Sequence, residues 1–111
     1  HSFVRSNGFI TSKGLSKMTG LTKLRLRGNR EVRDEWITNL RGLTELDIVD
    51  TQITDSSLTL LSNLRHILLP VDLSSINIDQ LSKLHRLTDI TLNCFSDWGL
   101  AKRFPPHIYV Y

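Results

Sequence analysis

The chain has 111 residues, 40% of them hydrophobic and 23% charged, with a formal net charge of +3. This length favours one domain of ordinary stability, and the apolar runs stay short of the ~18 residues that a membrane helix needs, so no membrane span is predicted. The one cysteine, Cys94, and the absence of an Asn-x-Ser/Thr acceptor favour a reducing, cytoplasmic or otherwise intracellular setting. We expect Cys94 to be a small buried hydrophobe.

Leucine-rich segments recur along the chain at nearly constant spacing. Four segments of the form L-x-x-L-x-L, with isoleucine at some of the leucine positions, begin at Leu21, Leu43, Leu64 and Leu87. Their starts are 22, 21 and 23 residues apart. The last four positions of each segment alternate apolar and polar residues, which is the period of a half-buried strand. A repeat of this length indicates a solenoid.

Further columns recur between these segments, counted backwards from each segment start. Apolar residues stand eleven, six and three positions before it: Ile10, Val32, Ile53 and Ile76; Leu15, Ile37, Leu58 and Leu81; Met18, Leu40, Leu61 and Leu84. The last two columns share one helical face. Nine positions before it stand Ser12, Asp34, Asp55 and Ile78. Three of these four types can cap a helix N-terminus, so each repeat is predicted to be a strand, a turn, a capped short helix and a return.

Both ends of the chain continue the pattern. Val4 falls 22 residues before Leu26, so Phe3–Arg5 is predicted to be the remains of a strand, and Ile108–Val110 a last strand that follows two prolines. We therefore expect one domain over residues 1–111, of α/β class: a curved parallel sheet of about six short strands with short helices on the convex side. Its predicted parts are a partial first repeat 1–20, repeats 21–42, 43–63, 64–86 and 87–104, and a terminal strand 105–111.

With these motifs the chain resembles the leucine-rich repeat family over nearly its whole length. Leu43–Ile48 followed by Ile53–Leu61 is the nearest copy of L-x-x-L-x-L and I-T-D-x-x-L-x-x-L. The I-T-D-x-x-L form is similar to cytosolic ribonuclease-inhibitor-like and F-box-associated repeats. Asn29 occupies the usual turn-asparagine position, and Thr51 and Asp72 replace it later. The resemblance implies a non-enzymatic protein-protein interaction module, or more narrowly the substrate-recognition part of a ubiquitin-ligase receptor.

In such a fold the x positions of L-x-x-L-x-L lie on the concave face, in two rows. The first predicted row is Lys23, Glu45, His66, Asp89 and His107, and the second is Phe3, Arg25, Asp47, Leu68, Thr91 and Tyr109. Residues just past each strand are Arg5, Arg27, Val49, Pro70, Asn93 and Tyr111. The predicted partner-binding residues are Arg5, Lys23, Arg25, Arg27, Glu45, Asp47, His66, Leu68, Asp89, Thr91 and Tyr109. Nearby loops, with Arg30, Asp50, Asp72 and residues 95–98, are expected to extend this surface.

Charge is distributed unevenly along the chain. Residues 1–42 hold nine Lys/Arg and three Asp/Glu, whereas residues 43–111 hold five and eight. Lys23, Arg25 and Arg27 are placed on one strand, where Glu45 and Asp47 of the next strand can partly neutralise them. The patch is either a solubility feature or an electrostatic docking surface. Nucleic acid or another polyanion is the alternative ligand of this basic N-terminal patch, disfavoured because the two carboxylates would repel phosphate.

Catalytic, metal and cofactor signals are weak in this sequence. The four histidines lack metal-type spacing, and no glycine-rich phosphate loop is present, so no enzyme activity, metal or cofactor is predicted. His66 beside Glu45 and Asp89 is the one predicted acid–imidazole cluster. Trp36 is expected to pack against a neighbouring repeat, and Trp98 to shield the end of the core or to anchor a partner.

The N-terminal end is predicted to be poorly covered. It begins inside a repeat at Phe3–Val4, and the apolar side chains of Ile10, Leu15 and Met18 follow. A solenoid end without a polar cap exposes the face that another repeat would cover, and an open strand edge invites pairing with another chain. We therefore expect either further upstream sequence or self-association through residues 1–20.

Overall fold

The computed structural model describes residues 3–5, 12–70, 76–92 and 104–110. Its centre is one six-stranded sheet in which every strand pairs in parallel with the next one along the chain. The strands are β1 Phe3–Arg5, β2 Lys23–Arg25, β3 Glu45–Asp47, β4 His66–Leu69, β5 Asp89–Leu92 and β6 Tyr109–Val110. The predicted parallel sheet of about six short strands is confirmed.

Short helices connect successive strands. They are α1 Ser12–Ser16, a 3-10 helix Asp34–Trp36, α2 Asp55–Leu58 and α3 Ile78–Leu81. Neighbouring helices contact one another in chain order, so they form a second layer parallel to the sheet. The helical return predicted near residues 95–100 lies outside the described residues, as do Ile10, Asp72, Asn93, Cys94 and Trp98. In the described part of the chain, no helix has the length and apolarity to cross a membrane.

The helix caps lie one residue earlier than predicted. Thr54 caps α2 by accepting a hydrogen bond from the Ser56 amide, at 3.2 Å, and Asn77 caps α3 by accepting one from the Asp79 amide, at 2.9 Å. A cap residue is still in extended conformation and its side chain reaches an amide two residues later. The predicted cap Asp55 and its column equivalent Ile78 are instead the first helical residues.

The core fills the space between sheet and helices. In the described repeats the inward residues of the strands and the predicted apolar columns are buried: Leu15, Leu21, Leu24, Leu26, Val32, Ile37, Leu40, Leu43, Leu46, Ile48, Ile53, Leu58, Leu61, Leu64, Ile67, Ile76, Leu81, Leu84, Leu87 and Ile90. Trp36 packs against this core, as predicted. Met18 is the exception at 39% exposure, because the first helix has a described neighbouring helix on one side only.

The strand register corrects the predicted rows at both ends of the sheet. Val4 pairs with Leu24 and not with the Leu26 position, which places Arg5 opposite Arg25. Tyr109 pairs with Asp89 in the first row and not with Thr91, and His107 precedes the strand. The first and last repeats are thus about two residues shorter than the average spacing. A slip of two residues keeps every side chain on its predicted face, so alternation alone could not reveal it.

The turns after β2 and β3 use the same geometry. Gly28 has φ 84° and Asp50, 22 positions later, has φ 58°. The next residue ties the turn to the strand end: Asn29 Nδ2 donates to the Leu26 carbonyl at 3.0 Å, and Thr51 Oγ1 donates to the Ile48 carbonyl at 2.8 Å. Threonine therefore supplies the same type of hydrogen bond as the turn asparagine that it replaces.

Replacing Gly28 by alanine is expected to lower the free energy of unfolding by about 1–2 kcal/mol, because a Cβ is strained at positive φ. Space is not the cause, since an added Cβ would meet nothing within 4 Å. Gly20 is equally open but lacks positive φ, so Gly20→Ala is the matched control and should be neutral or slightly stabilising. Urea denaturation of both variants measures the difference. Equal losses would show that backbone strain does not decide the effect at Gly28.

Candidate functional site

The face of the sheet turned away from the core is the candidate site, and we call it the concave face. Its first row runs Phe3, Lys23, Glu45, His66, Asp89 and Tyr109, and its second row runs Arg5, Arg25, Asp47, Leu68 and Thr91. Between the rows Leu24, Leu46, Ile67 and Ile90 are fully buried, and Leu92 at the end of β5 is partly buried against the core. The sheet therefore seals the core with one side of each strand and presents a mainly polar surface with the other.

Lys23, Arg25 and Arg27 form what we call the basic end of this face. Lys23 and Arg25 are exposed on β2, and Arg27 is 53% exposed at its side chain. The prediction that all three share one strand is wrong for Arg27, because β2 ends at Arg25. The register places Arg5 of β1 opposite Arg25, so a fourth basic residue stands at this end of the sheet.

Asp47 lies beneath the concave face and stabilises it from within. Only 4% of the residue is exposed. Its Oδ2 accepts a hydrogen bond from Arg27 Nε at 3.1 Å, and its Oδ1 accepts one from the Val49 amide, also at 3.1 Å. A buried carboxylate needs such partners to offset its desolvation. Asp47 thus joins the end of β3 to the neighbouring repeat and leaves little of its own surface for a partner.

Three side chains from consecutive strands form a hydrogen-bonded chain in the middle of the face. His66 Nδ1 lies 3.1 Å from Glu45 Oε1, and His66 Nε2 lies 2.9 Å from Thr91 Oγ1. The predicted contact between His66 and Glu45 is present. The second partner is Thr91 and not the predicted Asp89, whose carboxylate accepts from Thr88 Oγ1 at 3.2 Å. Thr91 is the diagonal neighbour of His66 across the strands, a relation that register analysis could have included.

The order carboxylate, imidazole, hydroxyl also occurs in nucleophilic hydrolases. Such chemistry needs hydrogen-bond donors aimed at the developing oxyanion. Thr91 lies in the parallel pairing of β4 with β5, where it stands opposite Leu68. The described residues also hold no cluster of three or more His, Cys, Asp or Glu side chains that could bind a metal. The chain of Glu45, His66 and Thr91 links side chains of three successive strands.

The other end of the face is less charged. Leu68 and Thr91 are half-buried side by side in the second row, and Tyr109 on β6 is 65% exposed. Asp89 is half-buried next to Tyr109 in the first row. The loop residues Arg30 and Asp50 are exposed past the strand ends. The face therefore changes along the solenoid from basic, through an internally bonded centre, to partly apolar and aromatic.

The dimensions of the face limit what it can bind alone. Six strands at ~4.8 Å spacing give a width of about 24–29 Å, and strands of this length span about 10–13 Å, so the sheet offers roughly 250–350 Å². A stable protein interface needs about 800 Å² from each partner. The loops beside the strands must therefore contribute to any stable complex.

The fold defines a solenoid of parallel strands and short helices. Residues 40–62 match the family described as Leucine Rich repeat. This segment spans β3 and α2, one strand and one helix of the solenoid. This match supports a leucine-rich repeat over residues 40–62, while the ribonuclease-inhibitor-like type stays a prediction. A search of curated proteins gave no match. Leucine-rich repeat domains generally mediate protein-protein interaction and are typically non-enzymatic.

Proposed function

We propose that this protein is a non-enzymatic binding module that recognises a protein partner through its concave face and the adjacent loops. The observation that carries the proposal is the composition of this face. Exposed cations, a half-buried leucine and an exposed tyrosine lie on one surface of a sheet whose opposite side packs on the core. Protein interfaces are enriched in tyrosine and arginine, and sheet positions present them without a further loss of backbone entropy.

The predicted partner-binding residues divide into two groups under this proposal. Direct contacts are proposed for Lys23, Arg25, Arg27, Leu68, Asp89, Thr91 and Tyr109, with Arg5 added by register. Tyr109 is the best single anchor, because it is 65% exposed and aromatic anchors dominate interface energetics. Asp47 and the bonded pair of Glu45 and His66 support the face from within. We also propose an intracellular partner, because the chain has one cysteine and therefore no disulfide of its own.

Site-specific photo-crosslinking tests this proposal. A benzophenone amino acid at Tyr109, which is 65% exposed on the concave face, should crosslink a discrete protein from a lysate of the source cells. The same residue at Leu60, 43% exposed beyond α2 on the helical side, is the control and should give no such product. Because both positions are exposed, both variants should fold. Crosslinking of the same protein from Leu60 alone, or equally from both positions, would contradict recognition by the concave face.

The predicted self-association through residues 1–20 is a separate proposal. β1 is the first strand of the sheet and pairs with β2 on one side, and Met18 is 39% exposed behind it. An edge strand with apolar neighbours can pair with a second chain. Such pairing would extend the sheet sideways and would leave the concave face of each copy in place.

A further inference from the structure

We propose that the partner contacts the basic end of the concave face with an acidic peptide segment, rich in Asp or Glu. The inference rests on the proposed function and adds the chemistry of the ligand. It follows from the contacts that the β3 carboxylates, Glu45 and Asp47, make in the structure. The sequence alone places these carboxylates beside the cations of β2, where they would compete with an acidic ligand.

The first step is that the carboxylates nearest to β2 are already bonded within the protein. Asp47 has a side chain 5% exposed and accepts from Arg27 Nε and from the Val49 amide. The Glu45 side chain is 27% exposed and its Oε1 lies 3.1 Å from His66 Nδ1. Each of these carboxylates therefore already has a partner within the protein, Arg27 for Asp47 and His66 for Glu45, and neither is fully exposed beside β2.

The second step is that cations dominate the exposed surface of β2 and its turn. Lys23 and Arg25 are exposed on the strand, and Arg27, Arg30 and Arg33 are exposed after it. The strand on the other side, β1, has the sequence Phe-Val-Arg and brings no acid. Exposed carboxylates occur farther along, at Glu31 in the loop and at Asp50 in the next turn. The positive charge is therefore densest over the strand itself, at Lys23 and Arg25.

The third step is the match in spacing. Lys23 and Arg25 stand at alternate positions of β2, and alternate positions of an extended chain are about 6.6 Å apart. Carboxylates at alternate positions of an extended peptide have the same repeat. Each phosphate that a protein neutralises adds to sequence-independent nucleic-acid affinity, so a long polyanion needs an extended row of cations. The cations on the strand itself are two, Lys23 and Arg25, and exposed Asp50 lies in the next turn, so a short acidic peptide fits this surface better.

The experiment uses a fluorescein-labelled eight-residue peptide of alternating Glu and Ser, with an alternating Gln and Ser peptide as its uncharged match. Fluorescence anisotropy is measured with the intact protein at about 50 mM salt and again at about 300 mM, where screening is stronger. We expect the Glu peptide to bind more tightly, and the double variant Lys23→Glu/Arg25→Glu to weaken that binding about tenfold or more. The control Lys17→Glu/Lys83→Glu makes the same change in net charge at exposed positions next to the helices, and should change the affinity by less than about twofold.

Three results would overturn the proposal. They are equal binding of the Glu and Gln peptides, equal losses in the two double variants, and tighter binding of a single-stranded oligonucleotide of equal charge that is lost in the same way. The third result would identify a nucleic-acid ligand. Crosslinking from Tyr109 separates this inference from the proposed function, because Tyr109 lies on β6, away from Lys23 and Arg25 on β2. If the Tyr109 crosslink persists undiminished in the Lys23→Glu/Arg25→Glu background, a partner binds the concave face but not through an acidic segment.

Discussion

Replacing Leu46 by alanine is expected to lower the free energy of unfolding by about 2–5 kcal/mol, because deleting buried methyl groups costs both their transfer energy and a cavity. Leu46 is fully buried in β3 and pairs with Leu24 on one side and Ile67 on the other. Each repeat of a solenoid is stabilised by its two neighbours. A cavity at Leu46 therefore weakens both interfaces of a central repeat.

Leu60→Ala is the matched control for this prediction. It removes the same atoms from a side chain that is 43% exposed beyond α2, so its cost should stay within about 0.5 kcal/mol. Urea denaturation followed by far-ultraviolet circular dichroism gives both values from one type of experiment. A loss below about 1 kcal/mol for Leu46→Ala would mean that the sheet repacks readily around the missing side chain.

Much of the fold could be predicted because one pattern of burial recurs in every repeat. Leu21, Leu43, Leu64 and Leu87 are all buried at the predicted segment starts. The alternation inside each segment also gave the correct face for Lys23, His66 and Thr91. Both results follow from geometry that is the same in each repeat. Side chains of a strand alternate between two faces, and the apolar return of one repeat packs against the return of the next.

The predictions from sequence are wrong in two situations. One is where the repeat length changes, and the other is where the length of a side chain decides which residue it contacts. At the ends, spacings shorter by about two residues moved Tyr109 from the second row to the first and placed Arg5, predicted just past its strand, in the second row. In the site, Asp47 forms its ion pair with Arg27, a residue beyond the strand end. Strand register gives Cα neighbours only. The long side chain of Arg27 reaches the buried carboxylate of Asp47. The positions of residues on their strands do not reveal such a contact.

Asp34 shows a contact between repeats that the column pattern missed. It was predicted to cap its own helix, but its carboxylate accepts hydrogen bonds from the next repeat. The donors are the Thr54 amide at 2.8 Å, Thr54 Oγ1 at 2.5 Å and Ser57 Oγ at 2.6 Å. Thr54 is itself the cap of α2. Asp34 therefore fixes the start of the helix that follows, and its negative charge lies at the N-terminal end of that short helix, where it is favourable.

Asp34→Ala is expected to lower the free energy of unfolding by about 2–4 kcal/mol, since hydrogen bonds to a charged group are the stronger kind and their loss leaves a buried donor poorly paired. That donor is Ser57 Oγ, whose residue is 1% exposed and whose other bond, to the Thr54 carbonyl, is 3.4 Å long. Glu35→Ala is the control, because it removes an exposed acid from the same 3-10 helix, and it should cost within about 0.5 kcal/mol.

A double-mutant cycle with Ser57→Ala separates the hydrogen bond between Ser57 and Asp34 from other effects of the Asp34 charge. If Asp34 acts through the hydroxyls of the next repeat, the losses from Asp34→Ala and Ser57→Ala will not add, and the coupling free energy should be about 1–2 kcal/mol. Strictly additive losses would mean that the Asp34–Ser57 bond contributes no coupling free energy, which would leave the two bonds from Thr54 as the contact with the next repeat. A measurable coupling would instead show that the helical layer is joined by side-chain hydrogen bonds from repeat to repeat. Those bonds would stabilise the curvature on which the concave face depends.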